Sequence, residues 1–241
     1  MTGRRVVGLM VAVAALFPAT FAVAGDGYDV TVTGKVTSRY ILQDLGIVAS
    51  ENPGLVTDVA ITKGPLTLDW WQRYDLSGGA YGNRGYGDEH DITLTGDWQV
   101  GGFSLEASAA YYVLAPLDKG DTDGFQLYAD VGRTFDLGGG ISVAPAIRAI
   151  EFIAVKTFPT FTLLRGRLPI SAPVPLLKNV TAILDPGVTG NLTPQVGQHD
   201  IVWRPTGSIV WKVSEALNVQ FDAKATDRTN PEFDLGISYR F

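Results

Sequence analysis

The fold that the sequence predicts is all-β: a transmembrane antiparallel up-and-down β-barrel of about 12 strands, with 10 as the alternative. Three observations carry this. Apolar and polar residues alternate with a period of two along most of the chain, and no stretch beyond the N-terminal segment repeats at helical spacing over three turns. The connections alternate between tight turns and longer loops rich in Gly, Asp or Pro, which is the plan of an outer-membrane barrel. Aromatic residues such as Trp70, Tyr74, Trp98, Tyr111, Trp203, Trp211 and Tyr239 fall toward strand ends, where an amphipathic ring favours the membrane interface.

The N-terminal segment stands outside this pattern. Arg4 and Arg5 form a short cationic region, Val6 to Phe17 is apolar apart from Gly8, and Ala22-Val23-Ala24 is a small-x-small cleavage site. Such a segment reads as a secretory signal peptide, and its apolar run is shorter than the roughly 20 residues that a spanning helix needs. The 241 residues therefore divide into a signal peptide, 1–24, cleaved after Ala24, and one outer-membrane barrel, 25–241. The chain has no cysteine, which removes disulfide frameworks, Cys-type zinc sites and thiol nucleophiles. Its net charge of −6, with no basic cluster, argues against a nucleic-acid partner.

The strands follow in order near residues 28–43, 55–63, 66–76, 90–100, 103–114, 125–135, 141–152, 199–213, 217–226 and 232–241. The last is the clearest. Phe233, Leu235, Ile237, Tyr239 and Phe241 alternate with Glu232, Asp234, Gly236, Ser238 and Arg240, and a strand turns successive side chains to opposite faces. Leu217 to Thr226 and Asp91 to Val100 split in the same way. Lys63-Gly64-Pro65, Gly101-Gly102, Asp136 to Gly140 and Ser214 to Ala216 read as tight turns, and residues 44–54, 77–89 and 115–124 as longer loops.

Residues 153–198 resist this reading. With the start of the next strand they hold seven of the 13 prolines, and proline removes a ladder donor. With both termini in the periplasm the strand number is even, so this segment supplies either none or two. Two is the preferred reading, near Phe158 to Leu168 and Leu176 to Leu184, with the proline-rich remainder forming an outer loop or folding into the lumen.

A soluble sandwich also alternates, so the membrane assignment rests on further signs. The run Gly236-Ile237-Ser238-Tyr239-Arg240-Phe241 resembles the C-terminal assembly signal of outer-membrane barrels, with Tyr239 and Phe241 as its aromatic positions. Closing the sheet also removes its edges, as hydrocarbon demands. Ser38-Arg39-Tyr40, then Asp44-Leu45-Gly46-Ile47, then Pro53-Gly54-Leu55, then Asp88-Glu89-His90-Asp91-Ile92-Thr93-Leu94 together resemble the TorF-type porin family of proteobacterial outer-membrane proteins. Gln43-Asp44 stands where that family often has Arg-Gly. The resemblance implies a porin-type protein in the outer membrane of a Gram-negative bacterium, and it carries over no substrate or binding residues.

Assigning the polar face of each strand to the interior gives a lumen with Lys35, Arg39, Arg73, Arg148, Arg204, Lys212, Lys224 and Arg240. Facing them are Asp29, Asp58, Asp69, Asp75, Asp97, Glu106, Asp130, Asp200, Asp222 and Asp234. Lys35, Arg39, Asp69, Arg73, Asp97, Glu106, Asp130, Arg148, Asp222 and Lys224 are the candidate pore-lining residues. A barrel of about 12 strands is wider than side chains alone fill, so passive diffusion of small hydrophilic solutes is the expected function. The acid excess, with Asp88, Glu89, Asp118, Asp121 and Asp123 on the outer loops, predicts weak cation preference.

Two alternatives stay open. A closed structural or adhesive barrel would present loops such as Ser77 to Glu89, with its lumen charges paired. An enzyme of the omptin-like or lipid-modifying kind would use His90 with Asp91, or His199 with Asp200, as an imidazole-carboxylate pair. No nucleophile-elbow or zinc-protease motif accompanies either histidine. The expected cofactors are none, and the expected partners are outer-membrane lipid, lipopolysaccharide, the barrel-assembly machinery and small solutes.

Overall fold

The computed structural model describes residues 27–76, 88–114, 123–155, 160–193 and 201–241. The signal-peptide assignment, His199, Asp200, Asp118, Asp121 and most of the Ser77 to Glu89 loop lie outside the described residues. In the first half of the chain the strands are β1 (Asp29–Thr37), β2 (Tyr40–Leu42), β3 (Ile47–Ser50), β4 (Gly54–Lys63), β5 (Leu66–Asp75), β6 (Glu89–Val100) and β7 (Phe103–Leu114). Then come β8 (Gly124–Gly132), β9 (Phe135–Gly138), β10 (Ile141–Val143), β11 (Ala146–Ala154), β12 (Phe161–Arg167) and β13 (Ile170–Pro173). The last six are β14 (Val180–Asp185), β15 (Gly187–Asn191), β16 (Ile201–Trp203), β17 (Thr206–Lys212), β18 (Leu217–Thr226) and β19 (Thr229–Arg240). Seventeen of these form one antiparallel sheet, and β2 and β3 form a hairpin of their own. Along its length β1 pairs with β4 on one side and β19 on the other, so that Thr31 lies opposite both Ala60 and Arg240.

The segment count differs from the expected 12: the separate hairpin adds β2 and β3, a break at Arg133-Thr134 divides β8 from β9, and prolines make four further breaks. Pro145 separates β10 from β11, Pro169 separates β12 from β13, Pro186 separates β14 from β15, and Pro205 separates β16 from β17. Each lacks the N–H that a ladder position donates. Their carbonyls still bridge the break: Arg133 N–H donates to Pro145 O (3.1 Å), Ala144 to Pro169 O (2.9 Å), Leu168 to Pro186 O (3.2 Å) and Ala225 to Pro205 O (3.0 Å). The prolines thus lie on adjacent strands and interrupt the sheet along one band without parting it. The expected turn at Asp136 to Gly140 shrinks accordingly, because Phe135 to Gly138 is strand and only Gly139 and Gly140 turn. At Gly101-Gly102 the two-residue turn forms as expected, with φ of +59° and +81°, values that a side chain would strain.

The two faces are inverted relative to a soluble protein. Trp70, Ile92, Leu94, Ile147 and Trp203 are more than half exposed, whereas Arg73 is 0% and Glu89 1% exposed. Apolar side chains outward and charged ones inward is the distribution that lipid outside and water inside favours.

A second correction concerns what folds inward. In the proline-rich remainder, Ile170 to Pro173 form neither an outer loop nor a plug, since they are β13 and continue the sheet. The infolded segment is instead residues 38–53, expected as the end of a strand and an outer loop. They leave the sheet after Thr37 and re-enter it at Gly54, which is paired with Thr37, and between them β2 and β3 cross the inner face. Leu45 of this hairpin packs on a small apolar core of Ile150, Phe152, Phe161 and Leu163, in which the two phenyl rings stack 4.9 Å apart.

Candidate functional site: the inner face and the hairpin across it

Alternation delivers the inner face. Asp69, Trp71 and Arg73 of β5, Glu89, Asp91 and Asp97 of β6, Glu106 of β7 and Asp130 of β8 share parity and turn inward, while Trp70, Ile92, Leu94, Leu105 and Val131 between them turn outward. Because directly paired residues share a face, Arg148 meets Asp130 across β11 and β8, and Asp130 meets Glu106 across β8 and β7.

Charge is segregated around this face. Arg148, Arg165, Arg167 and Arg204 line one wall. Arg148 Nε lies 2.9 Å from Asp130 and its Nη2 lies 2.7 Å from Glu106, with the guanidinium 3.8 Å from the Tyr128 ring centre. Arg167 Nε is 3.0 Å from Asp185. Asp58, Asp69, Glu89, Asp91 and Asp97 form the opposite wall on β4 to β6, and Asp58 and Asp69 are diagonal neighbours across that pair. Between the walls, Lys224 Nζ lies 2.5 Å from Asp234 and 3.0 Å from Glu232, and Lys35 lies 3.9 Å from Asp222. Such pairing offsets the cost of holding charges away from bulk water.

The hairpin bridges the two walls. Asp44 places Oδ2 2.9 Å from Arg165 Nη1, and Oδ1 3.0 Å from both Arg204 Nη1 and Thr189 Oγ1. Gln43 accepts from Arg204 Nη2 (3.0 Å) and donates to Thr206 (3.2 Å). On the acidic side the Tyr40 hydroxyl donates to Glu89, the Ile41 N–H donates to Glu232 (2.7 Å), and Ser50 and Asn52 donate to Asp75 (2.9 and 3.0 Å). Arg73 lies with its guanidinium 5.0 Å from the Tyr40 ring centre and donates to Asn52 O at 2.9 Å. Burial alone would raise the Asp44 carboxyl, but Arg165, Arg204 and the hydrogen bonds from Thr189 and Arg165 outweigh it and hold the group below its ordinary value. Burial and the neighbouring carboxylates Glu89 and Asp91 push the Tyr40 phenol well above its ordinary value, so it remains a donor.

Two cavities open on the inner face, the first of them against the hairpin. One of about 390 Å³ touches Tyr40, Asp44, Tyr112, Arg148, Arg165, Arg204 and Glu232. The other, about 440 Å³, is bordered by Asp69, Trp71, Asp91, Asp97, Glu106 and Tyr128.

Of the ten candidate pore-lining residues, nine lie on inward strand positions: Lys35, Asp69, Arg73, Asp97, Glu106, Asp130, Arg148, Asp222 and Lys224. Arg39 does not, because the strand ends at Thr37; it sits in the entry to the hairpin, 3.1 Å from Glu51. Glu89, expected in an outer loop, is a buried inward residue of β6. Lys212 and Arg240 are at the exposed rim, paired with Glu215 at 2.8 Å and with Asp29 at 2.7 Å. Tyr239 faces outward with its ring 4.8 Å from that of Phe241, whose N–H donates to Val30 O (2.9 Å). Sequence reasoning missed Asp44, Arg165, Arg167 and Glu232. The His90-Asp91 pair does not form: His90 turns outward against Tyr74, ring centres 5.4 Å apart, and Asp91 turns inward. Among the described residues no group of three or more His, Asp or Glu is arranged to hold a metal.

No protein-family model matches the sequence, and no curated protein matches it. Solved structures do. The chain is similar to the KdgM porin, with a TM-score of 0.56 at 9% identity over 88% of this chain and 99% of that one. It is also similar to the NanC porin, with a TM-score of 0.55 at 6% identity over 87% of this chain and 98% of that one. A further structure of the KdgM porin, in complex with disordered oligogalacturonate, matches at 0.56 and 10% identity over the same shares, 88% and 99%. At these identities the likeness shows the fold alone, an all-β antiparallel architecture like that of these porins.

Proposed function

We propose that the protein is a porin-like channel of a Gram-negative outer membrane, passing small hydrophilic solutes by diffusion. The observation that carries this is the inner face itself: charged on both walls, with cavities of about 390 and 440 Å³ opening on it, behind an outer face of exposed Trp, Leu and Ile. The strand segments group into twelve crossings: β1, β4, β5, β6, β7, β8 with β9, β10 with β11, β12 with β13, β14 with β15, β16 with β17, β18 and β19. The two partners of β1 support closure of these crossings into a barrel, and an even number puts both termini on the periplasmic side. The TorF-type resemblance and the porin neighbours point the same way. Signal-peptide export, lipopolysaccharide contact and insertion by the assembly machinery through Tyr239 and Phe241 belong to this reading.

Selectivity follows from the inner charges. Asp58, Asp69, Glu89, Asp91, Asp97, Glu232 and Asp234 outnumber the arginines opposite, which supports weak cation preference. Reversal potentials across a planar bilayer in a potassium chloride gradient test it, and an anion-selective potential would refute it. One observation favours the second reading, a closed barrel: the hairpin is tied to both walls by Asp44, Tyr40 and Ile41. Conductance with the hairpin present and removed separates the two.

A further inference from the structure

Asp44 occupies a site built for more charge than it carries. Its single carboxylate faces two guanidiniums, and the Nε atoms of Arg165 and Arg204 are buried without a hydrogen-bond partner. Arg204 is itself 8% exposed. Neighbouring arginines do not compete for the same carboxylate, since Arg148 holds Glu106 and Asp130 and Arg167 holds Asp185. Guanidinium is planar and offers parallel N–H pairs to a carboxylate, so a buried Nε with no acceptor is half of an unused bidentate contact. The arrangement has two forks, one tethered carboxylate, and a hydroxyl, Thr189 Oγ1, 3.0 Å from that carboxylate.

We propose that Arg165, Arg204 and Thr189 form a receptor for a small dicarboxylate solute, for which Asp44 is the resident stand-in, and that the solute displaces Asp44 and frees the hairpin from the lumen. The gating half of this inference rests on the channel reading above. A dianion supplies the second carboxylate that Asp44 lacks and engages both forks. Competition with a tethered group sets the working range: a short tether gives an effective concentration in the mM range, so a free ligand acts at roughly mM to tens of mM. The hairpin stays covalently held at Thr37 and Gly54, and its ties through Tyr40, Ile41 and Leu45 return it when the solute leaves.

Two measurements test this, with sodium succinate as the probe and sodium chloride at matched ionic strength as the control. The chain has no cysteine, so Ile47→Cys carries a fluorophore at one place in the hairpin. Succinate is expected to shift that signal in the refolded full chain where chloride does not. Titration calorimetry is expected to show succinate binding to Asp44→Asn at least tenfold more tightly than to the wild type, because the resident competitor is gone. No fluorescence response and equal or absent binding in both proteins would overturn the receptor. The channel reading is tested separately by conductance of a barrel in which residues 38–53 are replaced by a short turn. A conducting shortened barrel together with no succinate response in the full chain removes the receptor and leaves the channel; a silent shortened barrel together with a succinate response in the full chain removes the channel and leaves the receptor.

Discussion

Asp44 and Arg165 are separated by 121 residues of sequence and by 2.9 Å in space. That contact joins the infolded hairpin to β12, and with Arg204 it makes a carboxylate the main tie between the hairpin and the basic wall.

Substituting Asp44 by Asn therefore loosens the hairpin without unfolding the barrel. Breaking a buried ion pair costs about 3–5 kcal/mol, and Asp44 retains 25% side-chain exposure, so a smaller loss of about 2 kcal/mol is expected. Amide hydrogen exchange over residues 40–50 is expected to accelerate tens of fold while β6 and β7 stay protected. Unchanged exchange would show that the tie is dispensable.

The same group gives the latch a pH dependence. Its carboxyl lies below the ordinary value of 3.8 when docked, so it binds fewer protons docked than released. Its contribution is complete above 3.8 and is lost as pH falls through the lowered docked value. The fluorophore at Ile47→Cys is expected to report a docked hairpin from neutral pH down to about 4 and release only in stronger acid. Release on alkalinisation from pH 5 to 7 would contradict the sign.

Phe152 supports the hairpin from below, and Gly124 gives it room. A Cβ at Gly124 would lie 2.4 Å from the Phe152 ring, so Gly124→Val is expected to displace the ring and unseat Leu45. Phe152→Ala removes the stacked pair itself, at a cost of about 3–5 kcal/mol for a packed aromatic. Urea titration of the refolded protein in vesicles measures both, and wild-type midpoints would refute the packing role.

Outward and inward substitutions are expected to behave differently. Leu94 is an outward residue near the middle of β6, and an arginine there costs about 2–4 kcal/mol at the bilayer midplane. Asp97→Asn, inward on the same strand, is expected to leave the urea midpoint within about 0.5 kcal/mol and to reduce cation preference. Equal destabilisation by the two would mean that the faces are misassigned.

The sequence was legible where each face has one chemistry. In β6, β18 and β19 nearly every outward position is apolar or small, His90 being an exception, and nearly every inward one polar, so strand, face and most inner charges could be assigned from alternation. On β11 and β12 the strands were legible, near 141–152 and Phe158 to Leu168, but their faces were not. There Ile150, Phe152, Phe161 and Leu163 face inward and are still apolar, because the hairpin's Leu45 packs on them, and the outward Ile153 and Leu164 are apolar as well. With apolar residues on both faces, interrupted outward by Glu151 and Thr162, the period of two is blurred, and Arg165 and Arg167 were not assigned to the inner face. The prolines misled for a related reason: each breaks a ladder locally, but the sheet continues because the neighbouring strand donates to the proline carbonyl. Nothing in Tyr40 to Ser50 distinguishes an infolded hairpin from an outer loop, since its partners lie on strands remote in sequence.

Single-channel conductance of the refolded protein, with and without the hairpin, tests most directly whether the inner face is a conduit. Thr37 and Gly54 already face one another, so residues 38–53 can be replaced by an Asn-Gly turn that leaves β1 and β4 in register. Stable, salt-dependent steps are expected from the shortened protein, larger than those of the wild type. A folded, heat-modifiable shortened barrel that passes no current would contradict the conduit.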